Sequence, residues 1–376
     1  MKALKLLAGN ALILLLLLAV ALFAFELFAE RADRALWRER NARIQPFYWW
    51  SFHTPDGRRV GSQRGILELM IHPTAVYTNR PGQETAHFRI NSLGLRGDEV
   101  PDRVPGRSRI ILVGGSAAFG TGLRSDADTF AQQLERLLGA TNVINAAVIG
   151  HRSGQEASYL ATELVDLEPD LVVALDGYND FAAILERRRP WFDMNGPEQM
   201  AERLRLLNRL VYADLGTRLA SLPAALFPHA SARLATLLDG AGAGKGGRPS
   251  LDELLGLEAV SNGYADNMRK LDRVAGAFGS AFLCALQPSR QTFAAPTLAA
   301  PGDPRFGSSY AEFRRRVKEK LDIWGVAYLD LNEDGEGLRG EMFMDSLHLN
   351  AAGQGVMAEI VAAEIARRDL LGQGAE

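Results

Sequence analysis

Apolar and polar positions fall into three regimes along the chain. The first is an unbroken apolar run from Ala11 to Phe25, extended by Leu6 and Leu7 before it and by Leu27 to Ala29 after it. The second, residues 44–100, mixes turn signals ("TPDG", "HPT", "NRPGQ") with short strand-like stretches ("MIHPTAVY", "TAHFRI") and predicts a small β-rich cap. The third begins near residue 109, where short continuous apolar runs alternate with amphipathic stretches. "RIILVGG", "NVINAAVIG", "LVVALDG", "AFLCALQP" and "VAYLDL" read as five buried strands. Between them, "DTFAQQLERLLG" carries Phe130, Leu134, Leu137 and Leu138 at helical spacing and stops at Gly139. "GQEASYLATELVDLEPD" is a second helix, ended before Pro169, and "NAAGQGVMAEIVAAEIARRDLL" closes the chain as a third. Continuous apolar strands alternating with helices imply a parallel sheet covered on both faces, with any site at the strands' carboxyl ends.

An insertion of about residues 182–262 separates the third and fourth strands. It holds helical patterns near "AERLRLLNRLVYADL" and "ASARLATLL", and then "GAGAGKGGRPS", which reads as a flexible loop. The basic cluster Arg187 to Arg189 reads as a solvated helix end, with contact to anionic lipid or polysaccharide as the sharper alternative.

The apolar run changes the picture at the N-terminus. A membrane span needs roughly 20 mostly apolar residues. The run reaches that length by taking in Gly9, Asn10 and Glu26, which can sit near the interfaces. Lys2 and Lys5 precede it, and Ala19-Val20-Ala21 has the small-x-small form of a cleavage site. Because the run continues past that site, residues 1–30 are expected to be an uncleaved transmembrane signal anchor. A membrane-proximal charged helix and the cap fill 31–100, and the α/β domain fills 101–376. Arg31, Arg34, Arg38, Arg40 and Arg43 outnumber the leading lysines, so a positive-inside count alone would hold the large domain in the cytoplasm. The signal-like start points the other way, and the sequence leaves that conflict open.

Composition narrows the classes further. With 376 residues and 47% hydrophobic content the chain can bury a large core. A formal charge of −3 gives no electrostatic footprint for nucleic acid. The single cysteine, Cys284, lies in an apolar strand and reads as a buried core thiol. His53, His72 and His87 have no metal-ligand spacing, and no metal or cofactor is expected.

Candidate chemistry starts at "RIILVGGSAAFGTG". A phosphate loop would need lysine where Thr121 stands, and the glycines do not fit the dinucleotide G-x-G-x-x-G spacing. A bare strand end and a serine nucleophile at Ser116 both remain. A nucleophile needs a base, an orienting group and oxyanion donors from other strand ends. The second strand ends at Gly150, whose N–H can donate. The third ends in "GYND", where Asn179 can donate its side-chain amide. After the fifth comes "MDSLHLNAAG", in which Asp345 and His348 lie three apart before a helix. His348 is then the candidate base and Asp345 its orienter, although both could merely cap that helix. Asp180 reads as a loop-holding carboxylate, Tyr178 as a pocket-lining ring, and His151 as a surface histidine or a substrate contact.

This ordered set resembles the SGNH (GDSL-like) hydrolase superfamily from about residue 109 to 365, the insertion aside. "VGGSAAFG" is similar to its serine block, Gly150 to its glycine block, "GYND" to its G-x-N-D block and "DSLH" to its D-x-x-H block. The resemblance implies a flavodoxin-like three-layer α/β/α fold with about five parallel strands. It implies Ser116, Asp345 and His348 as catalytic residues, with the Ser116 N–H, the Gly150 N–H and Asn179 as the oxyanion hole. Gly115 replaces the aspartate of the family's "GDS" block, which bears on pocket shape. "FRINSLGLRGDEV" resembles a lead-in of membrane-anchored, exopolysaccharide-associated relatives.

The expected function is serine-dependent ester hydrolysis, with acetylated carbohydrate (exopolysaccharide) as substrate and a periplasmic catalytic domain. The same residues would serve an O-acetyltransferase. A non-catalytic, membrane-tethered polysaccharide-binding protein is the rival from another class. The oligomeric state is not legible.

Overall fold

The protein is described by a computed structural model. It describes residues 67–186, 251–293 and 305–372, the strands Trp50–His53 and Arg59–Val60, and scattered helical positions within 10–31 and 215–226. Arg187 to Arg189, the glycine-rich loop and most of the expected anchor lie outside the described residues. Among the described residues no helix is long and apolar enough to cross a membrane.

Five strands build the central sheet: β1 (Ser108–Gly114), β2 (Thr141–Asn145), β3 (Leu171–Asp176), β4 (Ala281–Leu286) and β5 (Tyr328–Asp330). Their order is β5-β4-β3-β1-β2 and every pairing is parallel. Ile110 to Val113 and Leu171 to Leu175 are wholly buried, as expected where both faces of a parallel sheet are covered. The order reverses direction between β1 and β3, so these two strands flank the crevice in which sites form in such sheets.

Among the described residues, six longer helices accompany the sheet: α1 (Phe130–Leu138), α2 (Ser153–Thr162), α3 (Tyr178–Glu186), α4 (Leu251–Ala277), α5 (Arg305–Trp324) and α6 (Ala351–Arg367). The right-handed crossover rule sends α1 and α2 to opposite faces, because β2 and β3 lie on opposite sides of β1. α1 accordingly packs on α6, and α2 packs on α4, which in turn packs on α5. Gln354 of α6 accepts from the Phe130 N–H at the start of α1, 3.0 Å away. Neither α4 nor α5 stands out as an element in the apolar pattern of the sequence. Both carry a buried stripe at helical spacing: Tyr264, Met268, Leu271 and Ala275 in α4, and Tyr310, Phe313, Val317 and Leu321 in α5. The insertion therefore ends earlier than expected, since Leu257 and Ser261 are already buried.

Two compact units divide the chain: Met1–Ala42 with Leu185–Arg248, and Arg43–Ile184 with Pro249–Glu376. The β-rich segment thus shares a unit with the α/β sheet, and no boundary falls near residue 100. That segment contains a four-stranded sheet, ordered 59–60, 50–53, 67–72, 76–79, and a small two-stranded pair, 83–84 with 89–90.

Cys284 is fully buried in β4, and burial pushes its thiol well above the ordinary value. A maleimide added to the folded chain is expected to leave it unmodified until denaturant is present, as read by mass spectrometry.

Candidate active site

β1 ends at Gly114, and the chain turns at once into a single helical turn, Ser116–Phe119, with Gly115 as its N-cap. Ser116 is the first residue of that turn. A first-turn N–H has no partner within its own helix. Neither the Ser116 N–H nor the Gly150 N–H donates to another group among the described residues.

His348 Nε2 lies 2.8 Å from Ser116 Oγ. Its Nδ1 lies 2.7 Å from Asp345 Oδ2. The other carboxylate oxygen, Oδ1, accepts from the backbone N–H groups of Leu347 at 2.9 Å and His348 at 2.7 Å. Burial would raise the Asp345 carboxyl. The facing His348 charge and these hydrogen bonds outweigh it and hold the group below its ordinary value. An ionised Asp345 accepts Nδ1–H, which leaves Nε2 as the acceptor for the serine hydroxyl. Asn350, not Asp345, caps α6: its side chain accepts from the Gly353 N–H at 3.0 Å.

Asn179 Nδ2 donates to the His151 carbonyl at 2.7 Å, which fixes the amide nitrogen, and not its oxygen, toward Gly115. Asp180 accepts from both the Ser153 N–H and its hydroxyl, the loop-holding role expected of it. Tyr178 packs edge-on against Tyr310, ring centroids 5.9 Å apart.

His151 corrects the sequence reading. It is 1% exposed, not a surface group, and its Nε2 meets the Tyr77 carbonyl at 2.7 Å. Burial lowers its pKa to about 4, so the ring is neutral at physiological pH. Tyr77 in turn donates its hydroxyl to the Ile149 carbonyl at 3.1 Å. The β-rich segment therefore holds the Ile149-Gly150-His151 backbone from above. Tyr77 carried no chemical signal in the sequence, because its partners lie in the distant loop after β2.

Next to the start of α3 lies a buried acid group. Glu156 of α2 and Asp176 at the end of β3 are buried neighbours whose carboxylate charges repel, and one proton shared by the pair relieves that repulsion. Burial, then the Asp176 charge, raises Glu156 well above its ordinary value, so Glu156 holds the shared proton. Asp180 is raised to about 7 by burial and by Asp176. An acid whose folded pKa is raised binds more protons folded than unfolded, so stability falls as pH rises from about 4 through 7. Glu156→Gln keeps the donor and removes the titration. It is expected to raise the melting temperature at pH 8 relative to the parent and to change it little at pH 5, by scanning calorimetry. Equal pH slopes for both chains would contradict the shared proton. Among the described residues no cluster suited to a metal ion occurs.

A serine, an imidazole and a carboxylate relayed in this way, at the switch point of a doubly wound sheet, have the form of a serine hydrolase site. The model of the GDSL-like lipase/acylhydrolase family matches residues 112–356, which include Ser116, Gly150, Asn179, Asp345 and His348. The chain belongs to that family. Among solved structures it is similar to an acetylxylan esterase from Geobacillus stearothermophilus, at 13% identity over 70% of this chain and 96% of that one, with a TM-score of 0.41. It is also similar to a proposed acylhydrolase from Bacteroides fragilis, at 13% identity over 72% and 92%, with a TM-score of 0.40. These likenesses concern the course of the chain and not its chemistry. No curated protein matches the chain.

Proposed function

We propose that the protein is a serine esterase that removes short acyl groups, acetyl above all, from carbohydrate through an acyl-enzyme on Ser116. The observation that carries this is the continuous relay Ser116–His348–Asp345, with separations of 2.8 and 2.7 Å. Ser116 Oγ attacks the ester carbonyl as its proton passes to His348 Nε2. The imidazolium formed is held by ionised Asp345. The developing oxyanion is met by the Ser116 and Gly150 N–H groups and by the Asn179 amide, whose second N–H is not used by His151. His348 returns its proton to the leaving alcohol, and water then repeats the sequence to free the acid. Ala117 and Ala118, both small and buried beside the nucleophile, support a short acyl group.

The apolar N-terminal run is read as a membrane anchor with the catalytic unit outside the cytoplasm. Support comes from the described helical positions Ile13, Leu14, Leu17, Val20 and Phe23, whose side chains are all exposed. A C-terminal topology reporter tests the placement. The function is tested by an acetyl-ester assay with and without an oligosaccharide acceptor. Acetate release independent of acceptor supports hydrolysis, whereas acetyl transfer to the sugar converts the reading to an O-acetyltransferase.

A further inference from the structure

The lead-in "NSLGLRGDE" (Asn91 to Glu99) contains one basic residue, Arg96, between Leu95 and Gly97. Its side chain is 1% exposed. A buried guanidinium is costly unless its donors are matched to acceptors. Arg96 Nη1 donates to the carbonyls of Phe119 at 2.7 Å and Gly120 at 2.9 Å. Its Nε donates to Asp126 Oδ1 at 2.8 Å, and its plane lies over the Phe119 ring, 4.7 Å from the centroid. Burial lowers the guanidinium pKa while the hydrogen bond and charge of Asp126 act to raise it.

Those two carbonyls end the turn that begins at Ser116. One helical turn is too short to hold its own geometry, because its last carbonyls have no intrahelical donors. Here the ends are closed from outside. Asn145 Nδ2 donates to Ala118 O at 3.2 Å, and Arg96 takes Phe119 O and Gly120 O. The two clamps are joined, since the Arg96 N–H donates to the Asn145 carbonyl at 2.9 Å. Asn145 ends β2, and the chain runs from it to Gly150. A side chain at Gly120 would crowd the clamp: its Cβ would lie 3.2 Å from Arg96 Nη1, at a φ of +87°.

We infer that Arg96 is a positioning residue for the nucleophile: it fixes the Ser116–Phe119 turn against the end of β2, and so sets the Ser116 hydroxyl and N–H relative to His348 and Gly150. The inference rests on Ser116 being the nucleophile, as proposed above. Lysine cannot replace Arg96, because a single ammonium point charge cannot span two carbonyls and a carboxylate in the guanidinium's fixed fork.

The test uses the full chain and a fluorophosphonate probe, with small acetyl-ester kinetics alongside. Wild type must label at Ser116; if it does not, the esterase reading itself fails. Given labelling, Arg96→Lys is expected to lose about 10²-fold in kcat and in labelling rate, the cost of a misplacement of order 1 Å, with KM for the small ester little changed. In Arg96→Ala, millimolar guanidinium is expected to restore labelling where equal urea does not, at temperatures below melting. Loss by global softening alone would not show that chemical selectivity. Should the Arg96 variants fail to fold, Asp126→Ala carries the test, since it leaves the guanidinium but frees its Nε edge. Labelling several-fold slower in a folded Asp126→Ala chain is expected. A folded Arg96→Lys or Asp126→Ala chain that labels at the wild-type rate, or absence of guanidinium rescue in a folded Arg96→Ala chain, overturns the inference.

Discussion

Ser116→Ala is expected to lower turnover of a small acetyl ester by about 10⁴-fold or more, the scale on which loss of a triad member falls. The substitution removes one oxygen from a site that is 9% exposed and leaves the Asp345–His348 hydrogen bond in place. The melting temperature should therefore hold within a few degrees while activity disappears. A fluorophosphonate should label wild type at Ser116 and leave the alanine variant untouched. Turnover that survives in Ser116→Ala would mean that the relay is not the catalytic apparatus. A wild-type chain that never labels would favour the polysaccharide-binding alternative.

Gly115→Ala is expected to be the second most damaging change, although it adds a single carbon. A Cβ at Gly115 would stand 2.3 Å from Asn179 Nδ2, and both cannot occupy that space. The atom that yields is the far end of a flexible side chain, so folding should suffer little. Asn179 must then leave the His151 carbonyl, and with it the place where the oxyanion develops. Losing one preorganised donor there costs about 10²–10³ in kcat. Asn179→Ala alone should match that loss, and the double variant should be no worse than either. Additive losses in the double variant would show that Gly115 acts by another route. The glycine that departs from the family's usual aspartate is thus tied in space to Asn179, and each restricts what the other can be.

The strands and the four site blocks were legible because both are local signals. Ile110 to Val113 and Leu171 to Leu175 are unbroken apolar runs, and each block sits within a few residues of a strand end. Asp345 and His348 could be paired for the same reason, being three residues apart. The unread parts depend on long-range partners or diluted patterns. In α4 the buried stripe is interleaved with Asp266, Asn267 and Lys270, and in α5 with Arg314 to Arg316, so the periodicity is weak by eye. His151 reads from the sequence as a surface histidine or a substrate contact because the carbonyl it meets lies 74 positions away. Arg96 carried a faint signal, a basic residue directly after Leu95, but the carbonyls that explain it are 23 and 24 positions downstream.

The sharing of one compact unit by the β-rich segment and the α/β sheet has a practical side. An expression fragment starting just after residue 100, where the sequence suggests a domain edge, would discard Tyr77, Asn79 and Arg96. Tyr77 and Asn79 bond the carbonyls of Ile149 and Ala147, in the loop that leads from β2 into Gly150. Such a fragment would keep Ser116, His348 and Asp345 and still be cut through the wall of the proposed catalytic centre. Fragments of this protein should begin before Trp50 instead, where the described part of the unit is left whole.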